Sequence, residues 1–99
     1  MPNLAPVISD EAYKLIESAL AESDLLEAER LLESALQEAG SDARLLYLKG
    51  RARMKESRWG DAISAFLQAE QIDPSGPARE SREMLEDIMA FFNKDMYNQ

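Results

Sequence analysis

Along the chain, apolar residues recur at spacings of three and four within successive stretches, a period that predicts amphipathic helices throughout. Over 9–22, Ala12, Leu15, Ile16, Ala19 and Leu20 make one stripe, with Glu11, Lys14, Glu17 and Ser18 opposite. Over 24–39 the stripe is Leu25, Ala28, Leu32, Ala35, Leu36 and Ala39. Stretches 42–56 and 59–72 follow, and 77–93 places Met84, Leu85, Ile88, Met89 and Phe92 on one side. Each is dense in Ala, Leu, Glu and Arg, which favour helix. The pattern predicts an all-α fold of five helices and no strand.

The punctuation agrees. Glu22-Ser23-Asp24, Gly40-Ser41-Asp42, Ser57-Arg58 and Asp73-Pro74-Ser75-Gly76-Pro77 separate the stretches. Gly40 suits a left-handed C-cap, and Ser41 or Asp42 can accept from the free amides that open the next helix. The residue before Pro74 is pushed out of helical space, which ends the fourth helix, and Pro77 suits the first turn of the fifth. Residues 1–8 read as an N-terminal arm and 94–99 as a frayed tail of a single domain.

Sliding the chain along itself until Ala28 meets Ala62 also lays Leu32 on Phe66, Ala35 on Ala69, Leu25 on Trp59 and Glu27 on Asp61. A period of that length, about 34 residues, means stacked helical hairpins. A small residue near a large one lets the partner helix approach while the large side chain fills the gap beside it. Gly50, a liability inside a helix, has the same explanation. On these residues the segment 43–74 resembles a tetratricopeptide repeat, with Leu46, Tyr47, Gly50, Trp59, Ala62, Phe66, Ala69 and Pro74 in the family's pattern. Residues 9–42 resemble a diverged preceding copy, with Ile16 in place of Gly50 and Gly40 in place of Pro74, and Arg53 stands where the family usually has an aromatic residue or Leu. Past Pro74, Glu80, Glu83 and Asp87 fall where inward-facing residues would be needed, so 77–93 resembles the family's terminal capping helix.

The resemblance implies a right-handed superhelical stack of antiparallel helix hairpins: repeat 1 over 9–42, repeat 2 over 43–76, then the cap. It implies a scaffold or adaptor whose first helix in each pair lines a concave groove for a partner's peptide or helix. Carried across, the groove residues are Tyr13, Glu17 and Leu20 from the first helix and Arg44, Tyr47, Arg51, Met54 and Lys55 from the third. Family members that grip the C-terminal carboxylate of chaperone tails use Lys and Asn where this chain has Tyr13 and Glu17, so that activity is not expected.

Charge changes this picture locally. The 99 residues hold 11 Lys and Arg against 19 Asp and Glu, and a net charge of −8 opposes nucleic acid and anionic membranes. Yet Arg44, Lys49, Arg51, Arg53, Lys55 and Arg58 lie together with only Glu56 against them, giving +5 over 44–58 and −13 elsewhere. At 100° per residue, Arg44, Arg51, Lys55 and Arg58 fall within about 60° of one another beside Tyr47 and Leu48. One reading is that this stripe answers the chain's own acids, such as Glu17 or Asp87. The other is that it captures an acidic segment of a protein partner through the planar fork of Arg.

Candidate chemistry is sparse. There is no Cys and no His, which removes thiolate nucleophiles, imidazole acid/base catalysis and most transition-metal sites, and no enzyme, cofactor or metal is expected. Glu29 and Glu33 are one turn apart but lack a third ligand, so they read as a solvated face. Asp73 to Gly76 is a turn, not a phosphate loop. The opening residues lack a basic region and a long apolar core, so no membrane span is expected and the cytoplasm is the expected compartment.

Trp59 reads as packing, by its match to Leu25. Phe91, Phe92, Met96 and Tyr97 concentrate apolar surface near the end. Two hairpins and one helix leave a stack's end uncovered, so these residues are expected either to fold back into the groove or to join a second protomer as a homodimer. The alternative function is accordingly a structural accessory subunit that docks through this last helix.

Overall fold

The computed structural model describes residues 8–97, with side chains described as far as Phe92. Five helices follow one another: α1 (Asp10–Ala21), α2 (Leu25–Ala39), α3 (Ala43–Lys55), α4 (Trp59–Ile72) and α5 (Ala78–Tyr97). There is no strand among the described residues. Short connections fold each helix back on its predecessor, so α1 packs on α2, α2 on α3, α3 on α4 and α4 on α5, while α1 also reaches α3. The radius of gyration is 15.0 Å, against about 13 Å for a spherical domain of this length. The elongation suits elements that each touch mainly their neighbours.

Side-chain oxygens open the first three helices. Ser9 Oγ accepts from Ala12 N (3.2 Å), Asp24 Oδ1 from Glu27 N (3.3 Å) and Asp42 Oδ1 from Leu45 N (2.8 Å). Gly40 closes α2 with a φ of +73°, a conformation open to glycine because it has no Cβ. α5 differs from expectation: it runs on to Tyr97, where a frayed tail was expected from 94. Nothing between Asn93 and Tyr97 is Gly or Pro, so the backbone meets no breaker there.

The two hairpins turn alike. Ser23 N donates to Leu20 O and Asp24 N to Ala19 O; one period later Ser57 N donates to Met54 O and Arg58 N to Arg53 O. Ser23 and Ser57 both adopt positive φ, +58° and +62°. Each hairpin thus uses one non-glycine left-handed residue to reverse the chain.

Two apolar cores lie on either side of α3. The first holds Ile16, Leu20, Ala28, Leu32, Leu45 and Leu48; the second holds Leu46, Ala62, Phe66, Ala69, Ala78 and Leu85. Residues one period apart match in burial: Ala28 and Ala62 are fully buried, as are Leu32 and Phe66 to within 1%. A Cβ at Gly50 would lie 2.9 Å or less from three ring carbons of Phe66. Glycine there is what lets the ring seat, a burial that contributes about 2–3 kcal/mol. One expectation is corrected here. Leu20, placed in the groove, is fully buried in the first core, and Ile8, the last residue of the N-terminal arm, packs against that core. Residues 1–7 lie outside the described residues.

Candidate functional site

Tyr13 and Tyr47 are one period apart, on α1 and α3. Tyr13 is buried, and its hydroxyl donates to Asp42 Oδ2 at 2.8 Å, so one carboxylate both caps α3 and ties it to α1. Burial first, then the Asp42 contact, pushes the Tyr13 phenol up to about 12. The Arg44 guanidinium stacks 4.1 Å from the centre of the Tyr13 ring and pairs with Glu17 at 3.3 Å. Tyr47 is half-buried, its ring 5.7 Å from that of Phe66, with the Arg51 guanidinium 6.0 Å away. Arg44 and Tyr47 also line an open concavity of about 200 Å³ with Ala69, Asp73, Pro77 and Ala78. Helix α3 therefore presents a face of alternating ring and cation beside α1.

The cations of 44–58 divide by partner. Arg53, mostly buried, bonds Glu29 on α2 and Glu56, which joins the two hairpins at the place where the sequence departs from the aromatic or Leu pattern. Arg58 does not continue the stripe. Helix α3 stops at Lys55, the positive φ at Ser57 turns the chain, and Arg58 pairs with Asp61 at 2.6 Å and with Glu56 at 3.6 Å. Lys49, Arg51 and Lys55 have no carboxylate within 4.0 Å among the described residues. The internal-pairing reading of the stripe thus holds in part: Glu17 answers Arg44, whereas Asp87 meets none of these cations among the described residues.

At the other end, Arg82 clasps Glu70 with two hydrogen bonds (2.8 and 3.2 Å) and fixes α5 to α4. This contact holds the Glu70 carboxyl below its ordinary range. Yet α5 buries only Ala78 and Leu85 of its described side chains, and Met84, Ile88, Phe91 and Phe92 stay exposed. Trp59, read as packing, is 42% exposed at the rim of this apolar patch. Met54, placed in the groove, lines the hollow between α3, α4 and α5 instead. The side chains of Met96 and Tyr97 lie outside the described residues.

The fold has a solved counterpart. The solution NMR structure of the Bacteroides fragilis protein BF1650 matches with a TM-score of 0.79 and 35% identity, covering 92% of each chain. The chain belongs to the same family as BF1650. No family model matches, and no curated protein does. With 92% of both chains covered, the likeness to BF1650 embraces the helical array as a whole, α5 included.

Proposed function

We propose that the chain is a non-catalytic, tetratricopeptide-like adaptor of the cytoplasm that binds an acidic segment of a partner protein along α1 and α3. The observation that carries this reading is the face of α3 bearing Arg51 and Lys55, cations without a carboxylate among the described residues, beside the half-buried ring of Tyr47. Two hairpins with the same turn, one period apart, support the repeat reading that makes this face concave. Desolvated Arg forks recognise carboxylates with strength and direction. Binding of labelled acidic peptides from an array tests it. Arg51→Glu is expected to weaken their binding at least tenfold without moving the melting temperature. An array in which no acidic peptide binds, or an R51E chain that melts early, overturns the reading.

A further inference from the structure

We propose that the chain forms a two-fold homodimer in which the exposed apolar edge of α5 from one copy enters the hollow between α3, α4 and α5 of the other. The hollow holds about 380 Å³ and is lined by Met54, Trp59, Leu85, Ile88, Met89 and Phe92. Beside it, Met84, Ile88 and Phe91 fall within about 60° of one another on the helix and are 52%, 44% and 65% exposed. One surface thus carries a ridge and an adjacent recess. That is the self-complementarity an isologous interface requires, because each copy must offer the other the same patch.

Size favours a second copy. Trp59, Met84, Ile88, Phe91 and Phe92 together leave about 500 Å² of apolar surface open, near the upper end of what a monomer tolerates. With a polar rim around it the patch approaches the roughly 800 Å² per partner of a stable interface.

Light scattering on the full chain from micromolar to millimolar concentration tests this. The expected mass is about twice 11.1 kDa, falling to the single-chain value in Ile88→Glu/Phe91→Glu, whose altered side chains are exposed and whose helical circular dichroism should persist. A single-chain mass at every concentration, or a dimer indifferent to the Ile88 and Phe91 changes, overturns the proposal. Arg51→Glu, which tests the acidic-peptide reading, should leave the dimer intact, so the two proposals fail separately.

Discussion

In the α1–α2 hairpin, the paired positions 16 and 32 hold Ile and Leu; in the α3–α4 hairpin, the same positions one period on hold Gly50 and Phe66. Both pairs are closed to solvent, and both hairpins turn through the same hydrogen bonds. The first hairpin divides its filling between two aliphatic side chains. The second removes one altogether and fills the space with a single ring. One backbone geometry therefore accommodates two core solutions, each closed to solvent. The hairpins also differ on the open face. Glu17 and Arg51 are equivalent positions of opposite charge, and Arg44 of the second hairpin reaches back to Glu17 of the first.

The strongest way to break this comparison is to empty the ring's place. Phe66→Ala should cost about 3–5 kcal/mol in chemical denaturation, since a cavity is left against Gly50. Gly50→Ala should cost about 1–3 kcal/mol even though Ala is the better helix former, because the new methyl meets the Phe66 ring. Transplanting the first hairpin's pair, as Gly50→Ile/Phe66→Leu, should recover most of the loss of Gly50→Ile alone. A double variant no more stable than that single one would show the two cores are not interchangeable.

Smaller changes sharpen the comparison. Ser23→Gly and Ser57→Gly should each raise stability by about 1 kcal/mol and by similar amounts, as glycine bears no penalty at positive φ. Thermal melts of both singles would read unequal strain in the two turns. The smallest effect is a pH dependence set by Tyr13. Because the fold holds the Tyr13 phenol near 12 against an ordinary 10, its contribution is whole below about pH 10 and is lost as pH rises from there through 12. Tyr13→Phe should flatten that alkaline limb.

Much of this architecture is legible before folding. The three-four spacing locates every helix, Gly40 marks the end of α2, Ser41 and Asp42 both offer a cap for α3, of which the structure uses Asp42, and the Gly50–Phe66 exchange is visible as a departure in register with the repeat. The shared turn had a signal too: Glu22-Ser23 recurs as Glu56-Ser57 at the same offset. Three other features do not follow from spacing. Leu20 is core because α3 closes over it, Arg58 leaves the stripe because the helix beneath it has ended, and Trp59 stands at a rim because α5 covers only part of α4's first turn.

By itself, then, the sequence determined helix positions, caps, the repeat period and the small residues that permit close approach, since these depend on backbone propensity and on residues within a few turns of one another. Only the tertiary structure decided which cations pair with carboxylates among the described residues, and that the apolar flank of α5 meets Met54 and Trp59 in one hollow. Charge pairing and exposure depend on distances between helices, which no single helix's periodicity encodes.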